Sequence, residues 1–268
     1  MEKSYRIFLC LFFYFPVVFA GNMKLYYERP AEYFEEALVI GNGTMGATLY
    51  GGVKKDKISF NDITLWTGEP ESENSSPDAF NVIPEIRALL DNEDYQGADK
   101  AQYKVQGHYS ENYQPLGTLT IEYLDDTAGI SDYHRWLDIG NATARTQYLK
   151  DGKLFTSDYF ASAPDSVIVI RLKSENKEGI HASLSFDSPL PHSSQVADNE
   201  ISVEGYAAYH SFPVYYKAED KHRYDPERGI HFKTLVRVLS VDGSVKDRYS
   251  DSRIEIDGST EVLILIAN

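Results

Sequence analysis

Residues 37–52 read ALVIGNGTMGATLYGG, and Gly41, Gly43 and Gly46 stand in the G-x-G-x-x-G spacing of dinucleotide-binding loops. That chemistry needs a helix starting at the third glycine, because the helix N-terminus supplies the amides that hold a pyrophosphate. Here the glycines lead into a strand-like stretch. Asp62 falls near the position of a ribose-binding acid, but it follows another strand and completes no βαβ unit. The three glycines are therefore read as structural, permitting positive φ or close approach of a neighbouring strand. No nucleotide is expected, and no cofactor of any kind.

Other chemistries fare no better. Asp62, Glu69, Asp125, Asp126, Asp138, Asp158 and Asp165 are candidate acids and bases, but with 41 acidic residues in the chain an apparent pair is easily found by chance. Assigning the roles requires geometry before pKa. The histidines at 108, 134, 181, 192, 210, 222 and 231 show no H-E-x-x-H or comparable ligand spacing, so no metal site is expected. The acidic stretch 91–99 lacks the alternating oxygen ligands of a calcium loop and reads as a solvated helix junction. No serine has a G-x-S-x-G context.

Aromatic residues carry the remaining hint, since their rings stack on the apolar faces of sugars while their polar edges hydrogen-bond hydroxyls. Trp66 follows a strand and precedes Thr67-Gly68, and Tyr113-Gln114 precedes the Pro115 turn. With Asn61, they are the candidate substrate-binding or domain-interface residues, because loop aromatics often carry function. Trp136, within HRWLDIG, is read as core.

The elements that must hold these residues are mostly strands. The stretch 47–62 reads as a β-hairpin, and further runs at 116–124, 142–149, 167–172, 182–186, 201–203, 232–239, 254–256 and 262–267 are mostly bounded by Gly, Asp, Asn, Ser or Pro. One helical stretch, 84–106, begins with Pro84 in a first turn and is divided at Gly97. The expected fold is mainly β: a large antiparallel β-sandwich of the supersandwich kind with a small helical insertion near 84–106. Residues 1–20 combine Lys3 and Arg6 with a 14-residue apolar run ending at Ala20, and read as a secretory signal peptide. That run is shorter than the roughly 20 residues of a spanning helix, so no membrane attachment is expected after cleavage. The domain is then 21–268, secreted or periplasmic. Its net charge of -15 argues against nucleic acid as a partner. The only cysteine, Cys10, lies in the leader, so no disulfide supports the core.

Several segments in order, GNGTMGA from Gly41 to Ala47, Asn61 followed by Thr64-Leu65-Trp66-Thr67-Gly68, and Tyr113-Gln114-Pro115-Leu116-Gly117, give the chain a family likeness. From about Met23 onward it resembles the N-terminal β domain of glycoside hydrolase family 95, the α-L-fucosidase family. It departs from that pattern at Phe34, Val39, Asp62-Ile63, Thr118 and Ser157. The resemblance implies inverting hydrolysis of terminal α-L-fucosyl linkages, by a glutamic acid and an asparagine-assisted aspartate held roughly 6.5–9.5 Å apart. In the family those residues sit on a helical barrel downstream of the β domain. The implied catalytic set within this chain is therefore empty, and the implied partners are a fucosylated glycan and an intramolecular helical barrel. Two alternatives from other classes are a stand-alone carbohydrate-binding or accessory module and a remnant whose final strand, EVLILIAN, forms an unsupported edge.

Overall fold

The computed structural model describes residues 23–70, 78–107 and 109–268; the leader reading at 1–20 and His108 lie outside them. In chain order the strands are β1 (Lys24–Tyr27), β2 (Leu38–Gly41), β3 (Met45–Leu49), β4 (Lys55–Asp62), β5 (Gly117–Tyr123) and β6 (Ile130–Asp138). There follow β7 (Thr143–Lys150), β8 (Lys153–Ser162), β9 (Val167–Ser174), β10 (Ile180–Asp187), β11 (His192–Ala197) and β12 (Glu200–Tyr206). The last six are β13 (His210–Ser211), β14 (His222–Arg223), β15 (His231–Ser240), β16 (Ser244–Arg248), β17 (Arg253–Ser259) and β18 (Glu261–Ala267). Two large antiparallel sheets result. One has nine strands in the order β1-β6-β7-β8-β9-β18-β15-β12-β11, and the other has seven, β16-β17-β10-β5-β4-β3-β2.

Alternation along each strand builds the core between the sheets. In β18, Val262, Ile264 and Ile266 are fully buried while Leu263 and Leu265 look outward. From the facing sheet Ile58, Phe60, Leu119, Ile121, Ala182 and Leu184 meet them, all at 0 % exposure. The mainly β expectation holds, and every strand read from the sequence is present. The final strand is the correction. Far from being an unsupported edge, β18 lies inside the nine-stranded sheet, paired with β9 on one side and β15 on the other.

The helical insertion also differs in detail. Helix α1 (Ala79–Asp91) starts five residues before Pro84, which lies inside it, and α2 (Tyr95–Gln102) contains Gly97. Pro84 cannot bond back to the carbonyl of Phe80, but Phe80 is 83 % exposed and water can serve that group. The break falls at 92–94, where Glu93 has φ 61° and Asp94 caps α2 by accepting from the Gly97 amide. Asp94 reaches that amide because residue 97 is glycine: a Cβ there would collide with its carboxylate.

A buried polar knot anchors the N-terminal segment at the end of the sandwich away from Trp66. Arg135, 1 % exposed, donates to the carbonyls of Arg29 (2.8 Å) and Glu36 (2.9 Å), and its guanidinium lies 4.2 Å from the Tyr27 ring centre. Nearby, Tyr133 donates to the carbonyl of Gly51 at 2.6 Å. Asp56, also 1 % exposed, accepts from the Gly52 amide (2.9 Å) and the Tyr159 hydroxyl (2.8 Å).

Candidate functional site

Antiparallel pairing carries all seven sequence-predicted residues to one end of the sandwich. Gly41 pairs with Gly46, which pairs in turn with Asn61, while the loops after β4 and before β5 run side by side there. The glycines form no phosphate cradle. They build the β2–β3 turn, in which Asn42 Oδ1 accepts from the amides of Thr44 (3.1 Å) and Met45 (2.8 Å), and Asn42 Nδ2 donates to the Ser162 carbonyl at 3.0 Å. Gly43 adopts φ +96°, and a Cβ at Gly41 would sit 3.2 Å from the Met45 carbonyl. Both structural readings of the glycines thus apply, each at a different residue.

Trp66 and Tyr113, named separately from the sequence, come together. Their backbones form an isolated antiparallel bridge, their ring centres are 5.2 Å apart at 51°, and each residue is 42 % exposed. The Trp66 indole N–H donates to the Ile63 carbonyl at 2.9 Å, which fixes the ring while leaving its apolar face open. Gln114 turns its amide back to the carbonyls of Asn112 and Tyr113 (3.4 and 3.3 Å), so it supports the loop. Asn61 is half-buried on the outward face of β4, beside the glycine turn. Trp136 is a correction: it lies half-buried on the outward face of the nine-stranded sheet and not in the core, because β6 turns Arg135 inward instead.

The loops are locked from beneath. Thr67, 3 % exposed, donates its hydroxyl to Glu111 and accepts there from the Asn112 amide (2.9 Å), while its own amide donates to the Asn112 carbonyl (2.8 Å). The Gly68 amide reaches the Ala208 carbonyl at 2.9 Å, joining a third loop, 207–230. Asn112 Nδ2 donates to Ser211 Oγ (2.7 Å), which lies 2.8 Å from His222 Nδ1. Arg228 pairs with Glu69 through both guanidinium arms and lies 3.7 Å above the Tyr209 ring centre. Its hydrogen bond holds the Glu69 carboxyl below the usual range, so Glu69 is a fixed anion. The third loop also carries a chain of rings: His210 on Phe212 (4.4 Å), Phe212 on Tyr216 (4.7 Å) and Tyr216 on Tyr109 (5.7 Å).

The sequence reading did not single out Glu69–Arg228, Glu111, His210 or this ring chain as one site. The signal was present in the stretch 206–224, YAAYHSFPVYYKAEDKHRY, too aromatic for a plain linker and too long for a turn. The seven candidate acids do not converge. Asp62 is buried and accepts from Thr64 and Asn268, Asp125 lies 3.8 Å from Lys150, and Asp126 accepts from the Ala128 amide. Asp138 binds Asn141, Asp158 binds Arg145 and Asp165 binds Ser162. Among the described residues no group of three metal-ligating side chains is gathered. What the end surface offers is shape, open rings and fixed polar groups.

A two-sheet β domain with a loop-built aromatic end defines an N-terminal β domain of a glycoside hydrolase once the comparisons with known proteins are added. The family model described as "Glycosyl hydrolase family 65, N-terminal domain" matches residues 25–268, and the chain belongs to that family. It is 28 % identical to alpha-L-fucosidase 2 of Arabidopsis thaliana over 252 residues, covering 91 % of this chain and 30 % of that protein. It is likewise 28 % identical over 268 residues to a probable alpha-fucosidase A of Aspergillus niger, covering 93 % of this chain and 30 % of that one. The chain thus spans under a third of the length of these relatives. A solved structure of a putative kojibiose phosphorylase from human microbiome aligns with TM-score 0.44 at 10 % identity, over 91 % of this chain and 32 % of that one.

Proposed function

We propose that this chain is the non-catalytic N-terminal domain of an exported α-L-fucosidase-like hydrolase. Its loop end would serve as the face that meets a helical catalytic barrel acting on a fucosylated glycan. The observation that carries the reading is the coincidence at one end of the sandwich of the family motifs, the open Trp66–Tyr113 pair and Asn268. Asn268 accepts from Thr234 Oγ1 (2.8 Å) and donates to Asp62 (3.1 Å), which sets the end of β18 beside the Trp66 loop. A chain continuing past it would start at that face. The rings exposed there suit burial against another domain, and the locked polar groups below them fix the loop shapes needed for docking.

The test is the mass of the native protein in its own cells, detected with an antibody against residues 23–268, together with assay of the 268-residue chain on a fucosyl aryl glycoside. A band far heavier than 30.3 kDa and an inactive isolated chain are expected. A band at or below that mass, or fucose release by this chain, overturns the reading.

A further inference from the structure

The outward face of the nine-stranded sheet holds a second assembly, remote from the loop end and independent of the function proposed above. Register places Tyr26, Trp136, Arg145, Asp158 and Arg171 opposite one another on five successive strands. The next row on the same face is His134, Gln147, Thr156, Lys173 and Glu261. At the usual strand spacing of about 4.8 Å, the first row runs about 19 Å from Tyr26 to Arg171. One end is aromatic. Tyr26 and Trp136 have ring centres 6.5 Å apart with planes 23° from parallel, Lys24 and Arg145 lie 5.8 and 5.9 Å from the Trp136 ring centre, and Tyr26 is 52 % exposed. Beyond the rings, Arg145, Thr156, Asp158, Arg171 and Lys173 line an open groove.

The charges in this strip are mutually satisfied. Arg145 holds Asp158 through two nitrogens, one at 3.0 Å. Arg171 and Lys173 share Glu261 at 2.8 and 3.1 Å, and Lys24 lies 3.5 Å from Asp138. On a chain of net charge -15, the strip sets four cations against three of their own carboxylate partners. Paired charges offer little attraction to an ion, but they are fixed and carry more N–H groups and lone pairs than their partners use. A row of fixed donors and acceptors leading away from a pair of rings, one of them half exposed, is matched by a neutral, extended polyhydroxylated ligand. Such a ligand stacks one ring and hydrogen-bonds along the rest.

We propose that the Tyr26–Trp136 platform and the Arg145–Asp158–Arg171 row form a binding strip for a neutral oligosaccharide, separate from any catalytic cleft. The chain has two tryptophans, Trp66 and Trp136, so Trp66→Phe in the full 268-residue protein leaves Trp136 as the only indole reporter. Its emission is followed during titration with cellohexaose, and in parallel with an oligogalacturonate of the same length. Saturable change with cellohexaose and at least tenfold weaker response to the anionic sugar are expected. Calorimetry on Trp136→Ala should then show at least tenfold weaker binding, with Trp136→Phe retaining part of it, since the ring survives. Arg171→Gln tests the polar row and should weaken binding severalfold with the platform intact, since Arg171 pairs with Glu261. No emission change at millimolar cellohexaose overturns the proposal. So does equal binding of the charged sugar, or undiminished binding by a Trp136→Ala protein that melts as the parent does.

Discussion

The buried carboxyl of Asp56 makes a pH dependence that the structure allows to be worked through. Burial is the main influence on it and raises its pKa from 3.8 to about 6, against the opposing hydrogen bonds from Gly52 and Tyr159. In the unfolded chain the group returns to its ordinary value. Below about pH 4 it is neutral in both states and has no effect on stability. Between about pH 4 and 6 the unfolded chain releases the proton first, so stability falls as pH rises. Above about pH 6 the loss is complete and constant. A rise of about two units corresponds to about 3 kcal/mol. The carboxyls of Glu36, Glu122, Asp138, Asp242 and Glu261 are displaced downward, chiefly by hydrogen bonds, and act in the opposite sense at lower pH. The readout must therefore be a difference. Asp56→Asn keeps the volume and the bond from Gly52 but cannot ionise, and it sacrifices the Tyr159 bond, worth about 1 kcal/mol. Urea unfolding of both proteins at pH 4, 5, 6 and 7.5 should show the stability of the variant relative to the parent improving by about 2.4 kcal/mol from the lowest pH to the highest, since part of the effect is already present at pH 4. A difference constant within about 1 kcal/mol across that range refutes the reasoning.

Gly43→Ala should lower stability by about 1–2 kcal/mol in urea unfolding, from its positive φ alone, since the space around it is open. Asn42→Ala removes the acceptor that closes the β2–β3 turn as well as the bond to Ser162, and should cost about 1–3 kcal/mol by the same assay. Trp66→Ala should change the melting temperature of the isolated chain by no more than a few degrees, because the ring is 42 % exposed, whereas Phe60→Ala in the core should cost about 3–5 kcal/mol. Mixing the chain with a separately produced downstream segment should give an association that Trp66→Ala weakens at least tenfold, measured by calorimetry.

Much of the architecture was legible because β5, β9, β15 and β18 alternate or run apolar between turn residues. Two non-edge members of the nine-stranded sheet, β6 and β8, were not. In β6 a register shift between Ser131 and His134, with Asp132 at φ 51°, interrupts the alternation, and the inward residue is Arg135, a charge where an apolar side chain is expected. In β8 the buried positions Phe155, Thr156 and Ser157 are consecutive, because outward-facing Thr156 is covered by long side chains on neighbouring strands. The same strands explain the misplacing of Trp136: with β6 unrecognised, its inward and outward faces could not be told apart. Of the site, Trp66 and Tyr113 could be named because turn chemistry put each in a loop. Their polar supports could not, since Thr67–Glu111 and Glu69–Arg228 join residues 44 and 159 positions apart.

The central place of β18 governs when this domain can become itself. Residues 24–174 supply one flank of the nine-stranded sheet and residues 192–240 the other, and the seven residues of β18 are the seam between them. On a ribosome both flanks emerge with a raw edge apiece, each rich in Ile, Val and Leu and open to pairing with a neighbouring chain. Neither edge closes until residue 267 leaves the exit tunnel, so the sheet cannot zip up before the last of its strands has been made.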